Sequence, residues 1–498
     1  STFTVSRLAP LVPDGVNTLE CLDGLARAGL VRANHSAAEA TWAFVHALSA
    51  DTAYQGVLPS QRALLHESAA RHLEADLHTP HDALVDEVAY HYERSNNDGK
   101  AVEFLHLAAA RAAHAYSNAE SLSHIEHALE RALALPQDER ARAEVRLLEL
   151  HGDILVRVGD RLDAAAAYSD AINRVSKREP IEAGRLHGKI AYALLWSEPR
   201  DNAAVEEHLD RATILLEQAG EEARGSWIDL QITRGNFYYL QNRLDELLTL
   251  VDAVDPAVRA GASPLQRFDF LGVRHMADLR LYQFALPDAS MEPLQERVDL
   301  ARDLGDPGRL AAAHFSLAFS HLWRIELDEA IAQFDHALSG AERVGDDLLQ
   351  TQCLVHLTTA RRREGNRAAV RELGGAALER AQTMGSAGYT GMCLGNLAWA
   401  AWADGDRDAA ALLAEEAMTI WGGDDYPVRG TALWPLIAVA VARGELGRAR
   451  ELLPHLRQPW ELAMSPELEA ACVAAEEAAN ADALLDEVLR LAIRDRWL

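Results

Sequence analysis

Apolar positions recur along this chain at helical spacing, in short runs separated by polar breaks. From His314 it reads HFSLAFSHLWRIELDEAIAQFDHALSGAERVGD. Leu317, Ala318 and His321 fall on one face of a first helix, a break follows at Arg324–Leu327, and Ala330, Phe334 and Ala337 fall on one face of a second. Small residues stand where two helices approach closely and one large residue stands between them. A hairpin built this way cannot bury its apolar face alone and needs neighbours on both sides.

The same hairpin recurs. Its small first-helix residue is Gly152, then Ala193, Gly235, Ala277, Ala318, Leu357, Ala398 and Ile437, at steps of 39 to 42 residues. In seven copies the second helix brings its first packing residue twelve positions later: Ala164, Val205, Leu247, Ala330, Ala369, Ala410 and Ala449. The next packing residue is generally one helical turn further on, as at Tyr168, Leu209 and Phe334. The copy at Ala277 is irregular, with Pro287 and Pro293 inside its second-helix span. Earlier, Val85–Arg94 and Lys100–Ala115 form a pair, followed by a half-unit with Ser121, Ile125 and Ala128. The predicted fold is all-α: a right-handed α-solenoid of about nine or ten hairpins over residues 81–498.

Residues 1–80 differ. Thr18–Leu30 reads as an amphipathic helix with Leu19, Leu22, Leu25 and Leu30 on one face. Val31–Ala33 and Thr41–Val45 are β-prone runs around the polar turn Asn34–Glu39. Helix and hairpin together predict a small winged-helix-like lead. Its candidate recognition helix offers Arg27 against Glu20 and Asp23, a poor match to DNA.

The 498 residues carry a formal net charge of −28, which argues against direct nucleic-acid binding and suits a solvated surface. No run of eighteen apolar residues spans a membrane, and STFTVSRLAPLVPDG is not a signal peptide, so the expected location is cytoplasmic. Cys21, Cys353, Cys393 and Cys472 are scattered and read as reduced, buried thiols.

No catalytic pattern stands out. His66-Glu67 followed by His72 misses the zinc-protease spacing, there is no Gly-x-Ser-x-Gly, and paired carboxylates read as solvated charge. Neither enzyme activity, a metal nor a cofactor is expected of this chain. The inner face of the solenoid is the remaining place for function. Offsets from the small residue put Asp153 and Arg157 there, with Asn236, Tyr239, Arg274, Asp278, Phe319, Trp323, Arg361, Arg362, Trp399, Trp402 and Trp434. Rings interleaved with arginines suit a polar ligand with apolar faces, or a peptide. The same tryptophans would equally serve as fillers between repeats.

Residues 42–74, WAFVHALSADTAYQGVLPSQRALLHESAARHLE, carry a resemblance to the region after the nucleotide-binding module in STAND-class signal-transduction ATPases, including LuxR-type and adenylate-cyclase-associated regulators. The matching residues are Phe44, His46, Tyr54, Arg62, His66 and Ala89-Tyr90-His91-Tyr92. The resemblance implies a winged helix leading into a tetratricopeptide-like superhelix. The period near 40, longer than the roughly 34 of a plain tetratricopeptide repeat, is similar to the sensor arm of LuxR-type members. ATP would then bind only to an N-terminal ATPase module missing here: Gly99-Lys100 is followed by Ala101 and Gly188-Lys189 by Ile190, so neither is a P-loop. A basic output helix-turn-helix is also missing, so the chain is expected to be a piece of a larger regulator or a stand-alone relative. The function implied is non-catalytic sensing or scaffolding, with a small-molecule inducer, a protein partner or a second copy of the chain as partner. The alternative is a constitutive scaffold for an extended peptide.

Overall fold

The structure is a computed structural model and describes all residues except 1, 14, 35–40, 80–81, 116, 177, 198, 423–427, 459–460 and 479–481. It is an all-α solenoid of helical hairpins with one small sheet. Its contacts divide into two compact units, Ser1–Thr233 and Arg234–Leu498.

Unit 1 opens with β1 (Thr2–Thr4), α1 (Val5–Leu8), α2 (Thr18–Arg27), β2 (Val31–Asn34) and β3 (Thr41–Phe44). The strands form an antiparallel sheet in the order β1-β3-β2, with Phe3 opposite Trp42 and Val31 opposite Phe44. Asn17 caps α2 by accepting from the Leu19 and Glu20 amides. The expected hairpin is therefore present; its turn lies outside the described residues. The leucine face is corrected. Leu22 packs with Val31 and Trp42, while Leu19, Leu25 and Leu30 are exposed. Cys21 is also exposed, against the expectation of burial, whereas Cys353, Cys393 and Cys472 are buried.

Next come α3 (Ala47–Gly56), α4 (Pro59–Ala75), α5 (Leu84–Glu93), α6 (Asp98–His114), α7 (Asn118–Ala132), α8 (Gln137–Val158), α9 (Arg161–Ile172), α10 (Pro180–Leu195), α11 (Asn202–Ala219) and α12 (Arg224–Leu240). The spacing rule holds in the core. Ala164, Tyr168 and Ala171 of α9 are buried against α8, and Val205, Leu209 and Ala212 of α11 against α10.

Unit 2 takes over within α12 and runs through α13 (Leu244–Gly261), α14 (Pro264–Leu281), α15 (Met291–Leu304), α16 (Pro307–Trp323), α17 (Leu327–Val344), α18 (Asp347–Glu364), α19 (Arg367–Thr383), α20 (Ala387–Ala403), α21 (Arg407–Trp421), α22 (Gly430–Ala442) and α23 (Leu446–Leu452). A last hairpin, α24 (Pro466–Glu477) and α25 (Asp482–Arg494), was not anticipated. Local chemistry starts and stops these helices. Asp306, Asp346, Asn366, Ser386 and Asp406 each cap a helix N-terminus with a side-chain oxygen. Gly345 and Gly365 end α17 and α18 at φ 69° and 84°, a region that penalises any Cβ. In the α16–α17 hairpin Ala318, Ala330, Phe334 and Ala337 are fully buried. The irregular copy is irregular here too: α14 ends at Leu281 and a loop carrying Phe284 and Leu286 into the core precedes α15.

Candidate functional site

Five of the residues carrying the family resemblance, Tyr54, Arg62, His66, Tyr90 and His91, meet where α3, α4 and α5 converge, while Phe44 packs on Phe3 of the sheet. Tyr54 Oη and His66 Nε2 are 2.9 Å apart, and His66 Nδ1 lies 2.9 Å from His91 Nδ1. Arg62 sits over the Tyr54 ring and Arg94 over the Tyr90 ring. Burial, with the nearby His91 and two arginines, pushes the His66 imidazole down to about 4. Tyr92 donates to Glu74, which also holds Lys100. These contacts join the lead to the first hairpin.

A more open site lies on unit 1, where α8, α9, α10 and α12 surround a cavity of about 440 Å³. Gly184 and Gly188 stand one turn apart on α10. Gly184 admits Leu216 of α11 so closely that a Cβ would collide, and a Cβ at Gly188 would just touch Leu230 of α12. Beside them Lys189 reaches Asp153 at 2.6 and 2.8 Å and Glu149 at 2.6 Å. Tyr168 donates to Asp153 at 2.7 Å. Arg185 pairs with Glu149 and, at 2.7 Å, with Glu182. The result is a ladder of alternating charge along one wall. Burial pushes the Lys189 ammonium and the Arg185 guanidinium down, Asp153 opposing it at the lysine and Asp229 at the arginine. The other wall is Tyr192, Leu230, Ser226 and Thr233. Ladder charges already paired can exchange one partner for a ligand group without stranding a buried ion.

Of the two positions expected here, Asp153 lines the cavity and Arg157 is turned outward, donating to the Ala113 carbonyl. Lys189, Arg185 and Tyr192 were missed. The copy at Ala193 supplied no candidate, although Lys189 stands four residues before its small residue, close to the offset that picked Arg274.

In unit 2 the expected residues separate. Asn236 is half-buried, Arg280 covers Tyr239, Arg274 reaches Asp255 at 3.4 Å, and burial raises the Asp278 carboxyl despite a hydrogen bond from Ser290. Phe319 and Trp323 do meet, edge to face at 5.8 Å, beside Phe284 and His356. Arg361 pairs with Glu364 at 3.0 Å, and Trp402 is half-buried. Trp399 and Trp434 are core residues at 4% and 1% exposure, correcting the open aromatic wall. Arg362 is likewise enclosed. It donates at 2.7 Å to the Thr431 carbonyl of α22 and at 2.7 Å to the carbonyl of Trp497. Trp497 stacks on Trp434 at 6.5 Å, so the segment after α25 covers residues expected to face a ligand.

No family model matches the sequence, and no curated protein matches it either. Among solved structures, the chain is similar to a Rap protein complexed with competence and sporulation factor, at 13% identity, TM-score 0.49, covering 64% of this chain and 88% of that one. It is similar to NprR in complex with its cognate peptide NprX, at 14% identity, TM-score 0.43, covering 58% and 79%. It is also similar to a STAND protein with a tetratricopeptide repeat sensor from Pyrococcus horikoshii, at 13% identity, TM-score 0.44; that likeness covers 99% of this chain and 63% of the other. None of these likenesses carries a functional argument for this chain. Among the described residues, no helix is long and apolar enough to cross a membrane.

Proposed function

We propose that this chain is a non-catalytic recognition arm, in which the inner face of unit 1 binds a partner or inducer. The observation behind this reading is the cavity bounded by Asp153, Lys189, Tyr168 and Tyr192. Its size falls within the range of small-molecule and peptide side-chain pockets, about 300–1,000 Å³. Its charged ladder matches a zwitterionic or peptide-like ligand, and its tyrosines supply flat apolar contact. On the family reading, the bound state would bias an adjoining ATPase module by its differential affinity for two arrangements. ATP belongs to that module and not to this chain.

Exposed Leu19, Leu48, Leu58, Leu64 and Leu65 in the lead support a protein neighbour for that region. The second reading, a constitutive scaffold for an extended peptide, rests on the same cavity. A thermal-shift screen of sugars, nucleotides and amino acids, run beside a short-peptide array, separates the two. The sensor reading expects a stabilising small molecule, and peptide hits alone favour the scaffold. If nothing from either set binds, the recognition reading fails.

A further inference from the structure

Five non-glycine residues among those described have positive φ, and four of them line one cavity of unit 2: Gln283, Phe284, Ile325 and Arg496. The corresponding helix ends elsewhere use Gly159, Gly365, Gly405 and Gly444. A side chain held in this region is strained, and a β-branched residue such as Ile325 is a true outlier. Strain retained around one cavity points to a use for it.

The cavity holds about 320 Å³ and lies between the α14–α15 loop, the end of α16, Arg363 of α18 and the segment after α25. Arg363 is sandwiched, its guanidinium 4.8 Å from the Trp323 ring and 4.3 Å from the Trp497 ring. Both Arg363 and Trp323 are more than nine-tenths buried. Arg363 Nη2 and Trp323 Nε1 find no hydrogen-bond partner among the described residues. An unmatched buried donor is destabilising, the more so when it is charged. The other polar groups on the wall are engaged. Arg494 pairs with Asp495 at 2.7 Å and Glu467 at 2.8 Å, Ser465 donates to Asp495 at 2.5 Å, and Arg496 donates to the Arg363 carbonyl at 3.3 Å. Three arginines against one aspartate leave the lining cationic in a chain of net charge −28. Phe284, Leu462 and the two indoles supply apolar wall.

We infer that this cavity binds a small carboxylate bearing an apolar or aromatic group; Arg363 Nη2 and Trp323 Nε1, both closed off from the open space as the side chains stand, turn to donate to its oxygens on binding. An acceptor-only anion satisfies both donors at once, and a planar guanidinium suits a carboxylate. The volume is at the low end for small-molecule sites, enough for one compact acid or the last residue of a peptide. Both sources present the same chemistry. The walls come from the solenoid and from the segment after α25, so the bound acid holds that segment against the helices. This inference does not rest on the unit 1 cavity.

The test is calorimetric titration, with tryptophan fluorescence alongside, using phenylacetate, its neutral isostere phenylacetamide, and the tripeptide Gly-Gly-Phe as free acid and as amide. The expected result is binding of the acids at least about tenfold tighter than their amides. Trp323→Phe, which keeps the ring but removes the N–H, weakens phenylacetate about tenfold, and Arg363→Lys also weakens it. Ser226→Trp, which places an indole in the unit 1 cavity, leaves this binding unchanged. Phenylacetate also slows hydrogen exchange of residues 494–498 in the wild-type chain, a readout needing no variant. Tighter binding of Gly-Gly-Phe than of phenylacetate identifies a peptide C-terminus as the source; the reverse identifies a free acid. Failure of the wild-type chain to bind either acid at millimolar concentration overturns the inference. So does equal affinity for acid and amide, or undiminished binding in a folded Trp323→Phe chain.

Discussion

At Gly152 of α8 an added methyl group would enter the Tyr168 ring, while at Gly375 of α19 it would meet nothing. Gly152→Ala therefore overpacks a tight helix crossing and is expected to cost about 1–3 kcal/mol. Gly375→Ala sits in an exposed helix interior and is expected to stabilise by about 0.5–1 kcal/mol. Denaturant unfolding of both variants checks the contrast. Titration offers a second test. His356 and His275 are buried, and burial pushes both down to about 3. They stay neutral in the native state while the unfolded chain protonates below about 6.5. Stability is thus expected to fall as pH drops below 6.5, by roughly 1.4 kcal/mol per unit for each such histidine, until their native values are reached. His356→Leu should shallow that slope. Glu461 behaves oppositely. Buried beside the Gly430 amide, its carboxyl is pushed up to about 8 from an ordinary 4.5. Its contribution is full below 4.5 and is lost as pH rises through 8. Glu461→Gln is expected to remove that loss, seen as a higher Tm at pH 8.

Between elements, the decisive contact is Arg362 with α20, α22 and the segment after α25. Its guanidinium reaches the carbonyls of Gly395, Thr431 and Trp497, and burial pushes its ionisation down. Arg362→Ala strands those carbonyls and is expected to cost about 1.5–3 kcal/mol. Faster hydrogen exchange over residues 494–498 would accompany the loss. The hairpins themselves were legible in the sequence because small residues must recur where helices touch. Ala318 with Ala330 and Phe334 shows that rule, and Gly152 with Tyr168 shows it again. The last hairpin was not legible, because its buried Cys472 comes 35 residues after Ile437, short of the 39 to 42 of the other steps, and the position twelve after Ala475 is the charged Glu487. Trp399, Trp434 and Arg362 were misplaced for a different reason. Periodicity gives the face of a helix, but Trp497 joins that face from 135 residues beyond Arg362, a contact that no local pattern encodes. The same limit hid the strained residues. Ile325 and Phe284 fill slots that are glycine in other copies, yet only the backbone shows that they keep the glycine conformation.

For the whole molecule, the sequence made recognition the expected role because repeats build surface and no catalytic pattern appears. Asp153 was the one inner-face position that led to the cavity of unit 1. Its partner Lys189, and Arg185 one turn before it, lie on the next hairpin; Lys189 falls one residue outside the offset that picked Arg274, and Arg185 has no spacing signal. The net charge of −28 bears on the partner as well. Ligand association at the ladder is expected to depend on salt, falling as ionic strength screens Lys189 and Arg185. The most direct test takes the tightest ligand from the metabolite and peptide screens and measures its affinity for the wild-type chain and for Ser226→Trp, with the ligand recovered and analysed afterwards. At least a tenfold loss of affinity in a folded Ser226→Trp chain and recovery of the ligand unchanged are expected. Equal affinity in the two chains, or conversion of the ligand to a product, would contradict the recognition reading.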